Sequence, residues 1–251
     1  DILYKVAIDT VHGSTNAEIN KIEFDSRSIT TNDVFVAIKG TITDGHQYID
    51  KAIALGAKAI VCEKLPDNLV QNISYIKVDN ASKALAFISA NYYNEPSTKI
   101  KLVGVTGTNG KTTVATLLYQ LFKKAGFKVG LISTVKILVD TIEYKTMHTT
   151  PDSILINKYL DEMVQLGCEF CFMEVSSIGI DQNRTTALEF AGGIFTNLSH
   201  DHLDYHSSFA EYRDIKKSFF DNLSKNAFAI TNTDDKNGML MLQNTVAKKI
   251  Y

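Results

Sequence analysis

Gly107-Thr108-Asn109-Gly110-Lys111-Thr112-Thr113 is the stretch of this 251-residue chain richest in residues that could do chemistry together. Glycines at 107 and 110 let backbone amides approach a ligand closely, Lys111 brings a point charge, and Thr112 brings a hydroxyl suited to a hard cation. A β-branched apolar run, Lys101–Val105, precedes the stretch. Apolar residues at helical spacing follow it (Val114, Leu117, Leu118, Leu121, Phe122) as far as Gly126. Strand, glycine-rich turn, Lys-Thr and helix is the layout of a phosphate-binding loop, in which amides and the helix dipole face an anion. Lys111 is then expected to reach the β- and γ-phosphates of a nucleoside triphosphate, and Thr112 to place its hydroxyl on Mg²⁺. The strict pattern asks for glycine at 105, where this chain has Val105. The plainer alternative is an ordinary glycine-rich βα turn.

Other candidates stand at the ends of apolar runs. Phe170–Val175 delivers Glu174 and then Ser176-Ser177. A carboxylate beside a phosphate loop suits Mg²⁺, which takes one or two carboxylates plus phosphate oxygens; the alternative is a strand-end glutamate in solvent. His148-Thr149-Thr150-Pro151 precedes a predicted helix over 153–166, where two hydroxyls suit either an N-cap or an anion. Gly193–Leu198 runs into Ser199-His200-Asp201-His202-Leu203-Asp204-Tyr205-His206. His-x-His admits zinc, but no further Cys or His stands at a structural-zinc spacing, so Mg²⁺ or proton handling fits better. A predicted helix over 209–223 presents Lys216 and Lys217, functional groups or a solvated face. Ala227–Thr231 leads into Asn232-Thr233-Asp234-Asp235, which suits a nucleoside or merely a turn. Cys168-Glu-Phe-Cys171 invites a redox reading, yet Cys171 lies inside an apolar run where a free cysteine is a common core residue.

The elements that must position these groups read as α/β throughout. Hydrophobic residues make up 45% and charged residues 22% of the chain, with a formal net charge of −2, which argues against a nucleic-acid binder working by bulk electrostatics. No apolar run approaches the ~18–20 residues that span a bilayer, so no membrane insertion is expected. The chain opens at Asp1 rather than Met, with no visible signal peptide. Three cysteines make no disulfide framework, which suits a reducing cytoplasm. Residues 33–39, 59–63 and 74–78 read as strands, 48–55 and 81–93 as helices, and Asn80 as an N-cap. Glu95-Pro96-Ser97 marks the expected boundary between units at 1–95 and 96–251. In the first unit, Asp25-Ser26-Arg27 after Phe24, and Gly40 with Asp44-Gly45 after a strand, are loops of the kind that hold ligands in α/β sheets. Capped turns with a surface arginine are the equal alternative.

Taken in order, Gly107–Thr113, Thr149-Thr-Pro151, Glu174-Val-Ser-Ser177, Asp201-His-Leu-Asp204-Tyr-His206, Tyr212-Arg-Asp-Ile-Lys216 and Asn232-Thr-Asp-Asp235 resemble the Mur ligases of bacterial peptidoglycan synthesis. Asp25-Ser-Arg27 and Asp44-Gly45 most resemble the branch that adds the third amino acid to UDP-N-acetylmuramoyl-L-alanyl-D-glutamate. The resemblance implies a small N-terminal α/β UDP-binding domain, a mostly parallel P-loop-type central ATPase domain, and a C-terminal Rossmann-like domain. The last is not expected here, since the chain stops at Tyr251, inside the central domain. The resemblance further implies an ATP- and Mg²⁺-dependent amide ligase working through an acyl phosphate, as a cytoplasmic monomer whose partners are the UDP-linked dipeptide and an amino acid. Carried over by motif, Gly107, Thr108, Asn109, Gly110, Lys111, Thr112 and Thr113 hold ATP phosphates, while Asn232 and Asp235 sit near its nucleoside. Thr112, Glu174 and His202 ligate Mg²⁺, joined by Lys216 as a carbamate. Lys111, Glu174, His202 and Lys216 form the catalytic set. Phe24, Ser26, Thr41, Ile42 and Thr43 resemble the uridine-diphosphate pocket, and Thr149, Thr150, Ser176, Gln182 and Arg184 the grip on the muramoyl-peptide. One departure is Ile178, where many relatives carry His. Alternatives are another Mur-type or folylpolyglutamate-synthase-like ligase, which generally lacks the N-terminal unit, and a non-catalytic UDP-sugar-binding module.

Overall fold

The computed structural model describes residues 1–41, 43–200 and 205–251. Ile42 and His202, both expected site residues, therefore lie outside the described residues. The chain divides into two compact units, Asp1–Tyr92 and Tyr93–Tyr251.

The first unit is a five-stranded sheet in the order β1-β5-β4-β3-β2. Its strands are β1 (Ile8–His12), β2 (Ile22–Glu23), β3 (Asp33–Val36), β4 (Ala57–Cys62) and β5 (Ser74–Val78). The pairs β2–β3, β3–β4 and β4–β5 are parallel, and β1 closes the edge antiparallel to β5. Helices α1 (Ile49–Ala54) and α2 (Ala81–Tyr92) accompany it. The parallel strands are short apolar runs buried on both faces, as βα crossovers require. The Asn80 side chain accepts from Lys83 N at the start of α2, as its position before the helix suggested.

The second unit is an eight-stranded sheet in the order β13-β12-β11-β6-β10-β7-β8-β9. These are β6 (Lys101–Thr106), β7 (Val129–Ile132), β8 (Ile137–Val139), β9 (Ile142–Tyr144), β10 (Phe170–Glu174), β11 (Gly192–Phe195), β12 (Phe228–Thr231) and β13 (Lys248–Ile250). All pairs from β13 to β7 are parallel, whereas β7–β8 and β8–β9 pair antiparallel. Successive residues of β6 face opposite sides. Leu102 joins a core with Ile156, Leu160 and Phe220, whereas Val103 and Val105 join one with Ala115, Val129 and Phe172. Helix α3 (Lys111–Lys124) supplies the second core; α4 (Ser153–Gln165) and α6 (Phe209–Asp221) supply the first. Short helices α5 (Ser177–Asp181) and α7 (Gly238–Met241) complete the unit. Because β6 lies between β10 and β11 with all three parallel, the segments after Thr106, Glu174 and Phe195 leave the sheet at one edge. That edge, at the carboxyl ends of parallel strands, is where α/β sheets hold ligands.

Candidate functional site

The turn after β6 has the backbone of a phosphate cradle. Gly107 takes φ +148° and Gly110 φ +84°. Gly110 is the N-cap residue of α3 and offers no side-chain cap, so the helix start is left to a ligand. The loop is pinned from β11's end: Thr108 N donates to Asn197 O (2.8 Å), and Asn109 N to Asn197 Oδ1 (3.1 Å). Lys111 Nζ folds back onto Gly107 O (3.0 Å) and Thr108 O (2.8 Å). Lys216 Nζ, on α6 and 1% exposed, donates to the same Gly107 carbonyl at 2.9 Å and lies 4.8 Å from the centre of the Tyr212 ring. The Tyr212 hydroxyl is 3.0 Å from Thr108 Oγ1. Two ammonium groups thus converge on one loop, an arrangement that an anion would stabilise.

Glu174 ends β10 and is fully buried, not in solvent. Thr134 N donates to its Oε1 at 2.8 Å, and Thr134 Oγ1 lies 3.1 Å from its Oε2. Among the described residues the carboxylate forms no ion pair. A buried carboxylate without a cation is costly. Mg²⁺, which accepts a carboxylate together with hydroxyl, water and phosphate oxygens, fits this donor set, with Thr112 at the start of α3. Among the described residues no cluster of three or more His, Cys, Asp or Glu could hold a metal alone. His200 instead packs on Phe209, and His206 Nε2 lies 2.9 Å from Ser177 Oγ.

Between these groups lies a cavity of about 150 Å³. Its wall brings together Lys111, Lys216, Arg184, Thr149, Thr150 and Ser176 from the expected set, and adds His148, Ser177 and Ile178. The wall is cationic, with no carboxylate among these residues. Thr150 Oγ1 donates to Glu174 O (2.9 Å) and accepts from Ser176 N (3.0 Å), tying the 149–151 turn to the strand end. Neither threonine caps α4, as the sequence had allowed. Asp152 does, accepting from Leu155 N, since it is the residue directly before the helix start at Ser153. Burial pushes the Asp152 carboxyl up from its ordinary value. Arg184 donates to Thr150 O (2.6 Å) and, through Nε and Nη2, to Gln182 Oε1. Gln182 Nε2 donates to Tyr205 OH (3.3 Å), which donates to Asp181 Oδ2 (2.7 Å). Burial lowers the Arg184 guanidinium from its ordinary range.

Asn232 and Asp235 also reach this edge, but as turn residues. Asn232 Nδ2 donates to Thr196 O, and Asp235 accepts from Leu198 N and Asn237 N. In the first unit, Asp25 caps a 3-10 turn and pairs with Arg27, whose guanidinium holds the carboxyl below its usual range. Ser26 is buried, Phe24 half-exposed, and Thr41 and Thr43 exposed. Sequence reasoning passed over His46, which joins Asp44 (2.6 Å) to Glu63 N (2.9 Å). It also gave no role to Thr134 or Asn197, whose only signal is a polar residue just past a strand.

A parallel sheet with a glycine-rich loop after its central strand, and a buried carboxylate on the neighbouring strand, is the layout of the phosphate-loop α/β class. Residues 105–251 match the Mur ligase middle domain, and residues 18–93 the Mur ligase family catalytic domain. The chain belongs to the Mur ligase family. It is 52% identical over 247 residues to the UDP-N-acetylmuramoyl-L-alanyl-D-glutamate--2,6-diaminopimelate ligase of Phocaeicola vulgatus, covering 98% of this chain and 51% of that protein. A solved ligase of the same name matches with a TM-score of 0.80 at 24% identity, over 94% of this chain and 50% of that one. The MurF ligase of Thermotoga maritima, solved in complex with ADP, matches at 0.58 and 21%, over 92% and 49%. These two likenesses concern the fold. The chain spans about half the length of the curated relatives it matches.

Proposed function

We propose that this chain holds the ATP and UDP-linked peptide of a ligase that adds the third amino acid to UDP-N-acetylmuramoyl-L-alanyl-D-glutamate. The observation that carries the reading is buried Glu174 without a cationic partner among the described residues, beside a phosphate loop and a cationic cavity. The loop amides and Lys111 would hold the ATP phosphates, Lys111 exchanging loop carbonyls for phosphate oxygens. Arg184, Gln182, Thr149, Thr150 and Ser176 would grip the peptide, and Phe24, Ser26 and the 41–43 loop its uridine diphosphate. Asn232 and Asp235 would border the nucleoside. Mg²⁺, held by Thr112, Glu174, His202 and a carbamylated Lys216, would neutralise phosphate charge when bound.

In the reaction a substrate carboxylate oxygen bonds to the γ-phosphorus as the bond to ADP breaks. The amine then bonds to the acyl carbon, the acyl C–O bond breaks, phosphate leaves, and the amine gives up a proton. The relatives' names carry 2,6-diaminopimelate, the amine to test first. Among the described residues no helix is long and apolar enough to cross a membrane; the reading places a monomer in the cytoplasm. The test is phosphate release from ATP by the full-length protein, with and without the UDP-linked dipeptide and the amine. Release that needs both is expected. ATP turnover indifferent to the dipeptide would sink the ligase reading.

A further inference from the structure

Among the described residues, the Glu174 carboxylate is oriented by a single one. Its two oxygens are held by the backbone N–H and the hydroxyl of Thr134, just past β7. Thr134 Oγ1 is also 3.1 Å from Thr149 Oγ1. A threonine has one hydroxyl proton, and a carboxylate can only accept. The Thr134 hydroxyl therefore has a single proton for two acceptors within reach, the Glu174 carboxylate and Thr149 Oγ1. Two of the roughly four acceptor positions of the carboxylate are filled from one side, which leaves the others for a cation.

We infer that Thr134 is the positioning residue for Glu174, setting the carboxylate for the nucleotide's metal ion and linking it to Thr149 in the cavity wall. The inference rests on the metal-binding role proposed for Glu174. Strand β7 suits this task because it pairs with β10 in register up to Ile132↔Met173, which brings the residues just past β7 beside Glu174 at the end of β10. The hydroxyl acts through Glu174 and need not touch the metal or the phosphates. Partners of metal-bound carboxylates typically change metal affinity by about 10–100-fold when removed.

The test is calorimetric titration of the protein with ATP, in Mg²⁺ and separately in EDTA, alongside thermal melting. Thr134→Val keeps the β-branched shape and the N–H but removes the hydroxyl. It is expected to weaken Mg·ATP binding by about tenfold while leaving metal-free ATP binding unchanged, the melt showing that the variant is folded. Thr134→Ser is expected to restore the wild-type affinity. Glu174→Gln separates the two claims. If it weakens Mg·ATP binding and Thr134→Val does not, the inference is overturned and the metal role of Glu174 stands. If Glu174→Gln also binds like wild type, the metal role falls and takes the inference with it. An equal loss by Thr134→Val with and without Mg²⁺ would assign Thr134 to the loop in general and overturn the inference too.

Discussion

Lys216 and Lys217 are neighbours in sequence with opposite surroundings. Lys217 is held by both oxygens of Asp221 one turn along α6, a helical i,i+4 pair. Lys216 points the other way, to the phosphate loop and over the Tyr212 face. Carbamylation of Lys216 would take one proton from the ammonium, then join the neutral Nζ to the carbon of CO₂ with loss of a second proton, turning a cation into an anionic oxygen donor. The Tyr212 ring favours the cation, so the carbamate needs a metal to offset that preference. In the full-length protein Lys216→Ala is expected to abolish ligation and Lys217→Ala to leave it near wild type, with acetate or formate restoring part of the first loss. Equal and mild effects in a ligation assay would refute the carbamate. From spacing alone the two lysines were interchangeable; the motif resemblance separated them, and the fold gives the reason. Glu174 and Lys111 were legible because strand ends and a glycine turn are local signals. Thr134 was not, since a hydroxyl past a strand is common and its partner lies forty residues on, at Glu174.

At the scale of elements, the turn from β6 to α3 depends on two glycines for different reasons. A Cβ at Gly107 would lie 2.0 Å from Thr196 Oγ1 and 2.9 Å from Asn197 O; at Gly110 the nearest atom would be 4.0 Å away. Gly110→Ala therefore meets only backbone strain, about 1–2 kcal/mol. Gly107→Ala adds overlap with the segment that pins the loop and should lose more than about 2 kcal/mol together with nucleotide binding. Urea unfolding of both variants checks this order; equal losses would mean that Thr196 moves aside. Most helices and parallel strands could be read from their apolar spacing. The elements missed were those without it. Strands β1 and β13 are exposed edges, and α5 has only five residues. The β8–β9 hairpin turns through Asp140-Thr141, with Asp140 at φ +53° instead of the glycine that usually marks such turns.

At the scale of the whole molecule, the chain has two compact units in sequence. Pro96 drew the expected boundary to 95/96, whereas the division falls at 92/93. The difference is physical: Asn94 and Glu95 both take left-handed backbone angles, and the turn they begin runs into the 3-10 segment Pro96–Thr98 of the second unit. A proline marks the middle of such a turn, not its start.

The three cysteines give the molecule a clock for its own unfolding. Cys62 lies in the first unit, Cys168 and Cys171 in the second, and all three are buried as free thiols. Burial pushes Cys62 up to about 11 and raises the other two, so almost no thiolate exists near neutral pH. A thiol reagent should leave the folded chain untouched and modify each cysteine only as its own unit opens. Mass spectrometry along a urea series, with the modified peptides resolved, is expected to show Cys168 and Cys171 labelled together and Cys62 on a separate curve. Rapid labelling of any of them without urea would count against the burial described. Each unit thereby reports its own stability, with no dye or mutation added.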